Sequence, residues 1–158
     1  LPPSLYPTIL NNIESGSWVE PTPVQMQGVP CVSSGRDCII QSPTGSGKTG
    51  AYLIGAILRT LASKHELKNA EEQGSKGGEG EGTKGKGGKG GGKTIVRCLV
   101  LCPTNELGGQ IYRECKRLSS GTGLKVVHLK KDNAHLFFSS PYGGVGGVDV
   151  MVGTTGRV

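Results

Sequence analysis

Residues 42–49 read Ser42-Pro43-Thr44-Gly45-Ser46-Gly47-Lys48-Thr49, a run whose residue types suit the binding of phosphate. Glycines let successive backbone N–H groups turn inward around phosphate oxygens. A helix is expected to start at the end of the run, so the positive end of its dipole adds to the pull on an anion. Lys48 offers an ammonium for the β and γ phosphates of a nucleotide, and the Thr49 hydroxyl is a ligand for the accompanying Mg²⁺. Thr44, Gly45, Ser46 and Gly47 make the body of the cradle. Ser42 stands where the strict pattern begins with glycine. The competing reading is a glycine-rich turn with an incidental lysine. Strand, loop, Gly-Lys-Thr and helix in that order favour nucleotide binding.

The surrounding segments supply that order. Asp37–Gln41 reads as a short strand leading into the loop. A helix is expected from about Lys48 to Ala62, with Ala51, Ile54, Leu58 and Leu61 along one stripe. Upstream, Ser4 can cap a helix carrying Leu5, Ile9 and Ile13, and Thr22-Pro23 reads as a helix start. Arg97–Cys102 is a continuous apolar run of the kind buried on both faces of a parallel sheet. Thr104 can cap a following helix with Leu107, Ile111, Cys115 and Leu118 inside. Leu124–Leu129 and Val148–Gly153 are further strand candidates. This alternation implies an α/β fold, a mostly parallel sheet with helices on both faces.

From Glu71 to Lys93 the chain holds 11 glycines, 5 lysines and 4 glutamates in 23 residues and no apolar residue. Such a stretch cannot offset its own ordering entropy, and it is expected to be a disordered insertion. The five cysteines, Cys31, Cys38, Cys98, Cys102 and Cys115, form no C-x-x-C pair. They lie among apolar residues and are expected to be small buried hydrophobes. The three histidines are scattered without metal-ligand spacing. No stretch approaches the roughly 20 apolar residues that a membrane span needs. No signal peptide is visible, so an intracellular, soluble protein is expected. The net charge of +6 and pI near 9.2 agree with an anionic partner without deciding which.

Three further segments point to a family. Ser17-Trp18-Val19-Glu20-Pro21-Thr22-Pro23-Val24-Gln25 resembles the Q motif of DEAD-box RNA helicases, which reads adenine ahead of the phosphate loop. A glutamine amide offers a donor and an acceptor together, matching the N6 and N7 edge of adenine. Pro103-Thr104-Asn105-Glu106-Leu107-Gly108 resembles motif Ia, with Asn105 for the usual arginine and Gly108 for the usual alanine. Asp149-Val150-Met151-Val152-Gly153-Thr154-Thr155-Gly156-Arg157 resembles a strand followed by motif Ib, with Thr155 for the usual proline. The family's Gly-Gly motif is not evident after Lys125-Val126.

The resemblance implies a partial N-terminal RecA-like P-loop domain spanning residues 1–158. It implies binding of ATP and Mg²⁺ by Trp18, Gln25, Ser42, Thr44, Gly45, Ser46, Gly47, Lys48 and Thr49. It also implies RNA-backbone contacts from Pro103, Thr104, Asn105, Glu106, Thr154, Gly156 and Arg157. Pro-Thr-Pro-Val-Gln-Met-Gln and Arg-Glu-Cys-Lys-Arg-Leu-Ser are similar to the Rok-type nucleolar helicases of small ribosomal subunit assembly. That likeness implies pre-rRNA and ribosome-assembly proteins as partners, no membrane, and a nuclear, nucleolar location. The Asp-Glu-Ala-Asp and Ser-Ala-Thr motifs and a second RecA-like domain do not occur in the sequence. The chain alone is therefore expected not to hydrolyse ATP, Lys48 being its one residue near that chemistry. A GTPase would carry an Asn-Lys-x-Asp motif, which is absent. A non-catalytic RNA-binding scaffold derived from a helicase domain is the second reading.

Overall fold

A computed structural model describes residues 3–16, 18–74, 96–133 and 147–156. The part of the glycine/lysine insertion from 75 to 93, and Arg157, lie outside them. A 3-10 turn over Pro3–Leu5 leads into α1 (Tyr6–Glu14), followed by α2 (Pro23–Ser33) and α3 (Lys48–Gly74). β1 (Cys98–Cys102), α4 (Asn105–Leu118), β2 (Val126–His128) and β3 (Val150–Thr154) complete the described chain.

The three strands form one parallel sheet in the order β1-β3-β2. Its register decides the two faces. Cys98, Val100 and Cys102 pair with Val150, Val152 and Thr154, and Val126 and His128 pair with Val150 and Val152. Alternation along each strand turns these residues to one side. There they meet Leu53, Ile54, Ile57 and Leu61 of α3, Ile111, Cys115 and Leu118 of α4, and Ile9 of α1 in the main core. On the opposite side Met151 joins Leu129, Val148 and Val127 in a smaller cluster.

α3 is a central helix rather than an amphipathic one. Leu53 and Ile57 are as buried as Ala51 and Leu61, because α2 covers the flank that the sheet leaves open. Close approach of the two helices needs small residues: a Cβ on Gly55 would stand 2.6 Å from Val32 Cβ. The helix runs 27 residues, well past the expected end at Ala62. The apolar stripe stops there, but Lys64, Glu66, Leu67, Lys68 and Ala70 are strong helix formers, and propensity carries the helix on through an exposed stretch.

Two other expectations need correction at helix starts. Ser4 lies within the 3-10 turn, and Leu5 occupies the N-cap of α1 without a side-chain bond. In α4 the cap is as expected, with Thr104 Oγ1 accepting from Leu107 N at 3.2 Å. Leu107, however, is 37% exposed, and the buried stripe is Gly108, Ile111, Cys115 and Leu118. The helix is turned so that its glycine, not its leucine, meets the sheet.

Asp149 ties the sheet to α3 at the start of its strands. Its carboxylate accepts from Lys64 Nζ at 2.7 Å, Arg97 Nη1 at 2.8 Å and Lys125 N at 2.9 Å. Its own backbone N–H donates to Lys125 O at 2.9 Å, and its carbonyl accepts from Arg97 N and Cys98 N, both at 3.0 Å. α1 docks on the far end of α4 through Asn12, whose Nδ2 donates to Leu118 O at 2.9 Å and Ser120 O at 2.7 Å. These carbonyls lie at the C-terminal end of α4, where intrahelical partners run out.

Asp37–Gln41 is not a strand. The segment has no sheet partner among the described residues, and Ile39 is fully exposed. A strand exists only through pairing, and none of the three described strands lies beside it. The cysteine expectation divides: Cys102 and Cys115 are buried, Cys31 and Cys98 are partly buried, and Cys38 is exposed on this same unpaired segment. No helix among the described residues is long and apolar enough to cross a membrane.

Candidate nucleotide- and RNA-binding site

The phosphate-loop sequence forms the turn into α3, with Lys48 as the first helical residue. Gly45 and Gly47 have φ of +81° and +95°, the left-handed region that a glycine enters without Cβ strain. With that curvature the loop closes on its own lysine. Lys48 Nζ donates to the carbonyls of Ser42 and Pro43, the latter at 2.7 Å. The Ser42 and Ser46 hydroxyls are bonded at 2.6 Å, and Ser46 N donates to Pro43 O at 3.3 Å. Ser42, the departure from the strict pattern, thus adds a cross-link between the two arms. Thr44 and Gly45 are exposed at the tip.

Gln25 joins the loop to α2. Its Oε1 accepts from Thr22 N at 3.0 Å and its Nε2 donates to Gly47 O at 3.3 Å. The first bond fastens the start of α2, and the second reaches the loop 22 residues downstream. A Cβ on Gly47 would stand 2.7 Å from Gln25 Nε2, so the glycine is needed for this contact as well as for its φ. Thr22 Oγ1 is buried nearby and has no hydrogen-bond partner among the described residues.

Trp18 is placed behind the loop. Its ring edge would lie 2.8 Å from a Cβ on Gly50, in the first turn of α3, and the Arg117 guanidinium stands 5.0 Å from the ring centroid. Arg117 is itself held by Glu114 at 2.5 Å. The Trp18 ring therefore bridges α3 and α4. Tyr52 lies one turn beyond Thr49, and burial pushes its hydroxyl's pKa up.

The residues expected to face RNA that lie among the described residues gather at the C-terminal edge of the sheet. Cys102 and Thr154 are paired, so Pro103–Glu106 and Thr154–Gly156 leave adjacent parallel strands in the same direction. Pro103, Thr104, Asn105, Glu106 and Gly156 are all exposed. The Cys102 thiol donates to Gly153 O at 3.2 Å and to Thr104 O at 3.4 Å, fastening the two strand ends together. Side by side, exposed backbone and hydroxyls of this kind suit the phosphates of an extended strand.

Gly108 has a local reason for replacing alanine. A Cβ there would lie 2.9 Å from His128 Nε2 and 3.0 Å from Cys102 Sγ. His128 is buried, stacked on Tyr112 at 5.7 Å between ring centroids, and its Nε2 has no partner among the described residues. Burial, and then Lys130, lower its pKa. Sequence reasoning missed this packing, and it missed Arg113, Lys130 and Lys131, which share a cleft with Asn105 and Glu106. The adjacent Lys130-Lys131 pair was the visible signal.

ATP and Mg²⁺ fit the donors present. The cradle is open at Gly45, where a Cβ would meet nothing within 4 Å. No group of three or more His, Cys, Asp or Glu that could hold a metal occurs among the described residues. Among the described residues, Thr49 at the start of α3 would be the side chain to hold a Mg²⁺ that retains waters and phosphate oxygens.

Known proteins bear this out at the level of family. Residues 22–158 match the family model of the DEAD/DEAH box helicases. The chain is 36% identical over 126 residues to the ATP-dependent RNA helicase ROK1 of Lodderomyces elongisporus, covering 80% of this chain and 18% of that one. It is 33% identical over 124 residues to DEAD-box ATP-dependent RNA helicase 57 of Oryza sativa subsp. japonica, covering 78% and 18%. A crystal structure of a hypothetical ATP-dependent RNA helicase from Sulfolobus tokodaii shares the fold, with a TM-score of 0.61 at 22% identity over 96% of this chain and 34% of that one. The chain thus spans less than a fifth of these two relatives' length. With phosphate loop, glutamine clamp and paired strand ends in this arrangement, the chain belongs to the DEAD/DEAH box helicase family.

Proposed function

We propose that this chain is the ATP-binding part of an ATP-dependent RNA helicase that locally unwinds or remodels RNA. Phosphate oxygens of ATP take the place of the Ser42 and Pro43 carbonyls on Lys48, and the loop's N–H groups turn toward them. Thr49 holds the accompanying Mg²⁺. Gln25 reads the adenine edge, and Trp18 supports the loop from behind. RNA lies across the strand ends, its backbone on Pro103, Thr104, Asn105, Glu106, Thr154, Gly156 and Arg157, without base reading. The observation that carries this proposal is the Gln25–Gly47 hydrogen bond, which makes the glutamine and the phosphate loop one unit. The similarity to Rok-type helicases supports pre-rRNA as substrate, ribosome-assembly proteins as further partners, and action in the nucleolus during small ribosomal subunit assembly.

The test is equilibrium binding of fluorescent ADP and GDP to the chain, beside Lys48→Ala and Gln25→Ala. ADP preferred over GDP, with both substitutions weakening it, supports the proposal. Gln25→Ala also loses the bond to Thr22 N, so its unfolding midpoint is measured alongside. Equal binding of ADP and GDP would sink the adenine reading. Absence of either at millimolar concentration, with RNA still bound, favours the scaffold. The isolated chain is expected to show no RNA-stimulated ATP turnover, since the residues that hold the attacking water are not in its sequence.

A further inference from the structure

The segment similar to motif Ia carries Asn105 where the family has arginine, so the strand end offers RNA no cation there. The structure sets three cations around the same cleft. Arg113 stands two turns along α4 from Asn105. Its Nη1 lies 3.7 Å from where a Cβ on Gly109 would be, so the guanidinium folds back over the early turns of the helix. Lys130 and Lys131 follow β2 on the other side. With Asn105, Glu106 and Gln110 they line one cleft, floored by buried His128. Glu106 and Asp132 are its two carboxylates, leaving a net positive charge. All three cations are exposed, and none makes an ion pair among the described residues.

We propose that Arg113, Lys130 and Lys131 each grip an RNA backbone phosphate beside the strand end, where Asn105 supplies no charge. The charged part of the contact has thereby moved from the strand end to the β2 side of α4. A guanidinium matches a phosphate's paired oxygens, and the lysines add point charge. The cleft opens directly beside Thr104 and the end of β1, so a strand lying on those residues runs into it. Further along α4 the surface continues past exposed Lys116 and Lys125, extending the same sign of charge. This inference rests on the RNA-binding reading above, and its test separates the two.

The probe is a fluorescein-labelled oligouridine 12-mer, its affinity for the full chain followed by anisotropy across a KCl series. Each phosphate contact neutralised in a single strand contributes about 0.7 to the slope of log K against log salt. The triple variant Arg113→Gln/Lys130→Gln/Lys131→Gln is expected to lose about 2 from that slope. Adding Asn105→Arg to the triple should return about 0.7 and tighten binding again. An unchanged slope in the triple, with Thr104→Ala and Thr154→Val still weakening RNA, overturns this inference and leaves the RNA-binding reading standing. Loss of slope with no recovery from Asn105→Arg overturns the compensation, because the cations then act away from the strand end. Displacement of the RNA by polyglutamate as readily as by unlabelled RNA of equal charge points to an acidic protein and also overturns it. No salt-dependent RNA binding by the unaltered chain overturns both readings.

Discussion

Gly108 and His128 decide how closely α4 approaches the sheet. An alanine at 108 adds helix propensity worth up to about 1 kcal/mol over glycine. Its methyl would also be forced against His128 Nε2 and Cys102 Sγ, both at or inside 3.0 Å. Overpacking of this kind costs about 1–3 kcal/mol, so the clash wins. Gly108→Ala is expected to lower the urea midpoint, and His128→Ala in the same background to recover part of the loss. A midpoint that rises in the single variant would mean the neighbours give way freely. His128 itself makes stability depend on pH. Its folded pKa lies below the unfolded value of 6.5 because burial, and then Lys130, oppose the charged ring. Below 6.5 the unfolded chain takes a proton that the folded chain refuses, so stability falls as pH falls; above 6.5 both are neutral and the effect vanishes. Urea midpoints between about pH 5 and 8 should decline more steeply on the acid side for the unaltered chain than for His128→Asn. Parallel curves would remove His128 from the account.

Among the elements, Asp149 carries more than its place in a strand suggests. One buried carboxylate fastens α3 through Lys64, the approach to β1 through Arg97, and the approach to β2 through Lys125 N. Breaking a buried pair costs about 3–5 kcal/mol, because the remaining partner is left without compensation. Lys64 and Arg97 keep side-chain exposures of 24% and 16%, so solvent relieves part of this and the lower end applies. Asp149→Asn is expected to cost about 3 kcal/mol in chemical denaturation. A loss under 1 kcal/mol would show that the amide keeps the backbone bonds unaided. This tie was not legible in the sequence, since its partners lie 85, 52 and 24 residues away. The three described strands were legible as short apolar runs bounded by turn residues, but β1, expected to be buried on both faces, leaves Leu99 and Leu101 45% and 50% exposed. The end of α3 was not, since periodicity stops with the apolar stripe while propensity continues. Asp37–Gln41 failed for the converse reason: its residues suit a strand, but pairing is a property of neighbours.

Across the whole molecule, the geometry of the two candidate surfaces was legible to different depths. The phosphate loop could be read because glycines with positive φ and a lysine at the helix start are local requirements. Gln25 was singled out through resemblance, but its bond to Gly47 was not legible; of the cleft cations only the Lys130-Lys131 pair left a signal, since three elements must fold together before they meet. The sheet's second face shows the same limit. Leu99 and Leu101 point away from α3 and α4 and are 45% and 50% exposed on β1, an edge strand among the described residues. An apolar edge with unpaired backbone groups is a template for association. Charged residues blunt such an edge, and lysine above all. Leu101→Lys should therefore lower self-association in sedimentation at rising protein concentration. Because the side chain is half exposed and lies outside both core clusters, stability should change by no more than about 0.5 kcal/mol. Unchanged association would show that the β1 edge is not the sticking surface. A large loss of stability would instead mean that Leu101 is packed in solution, with this face covered by the chain itself.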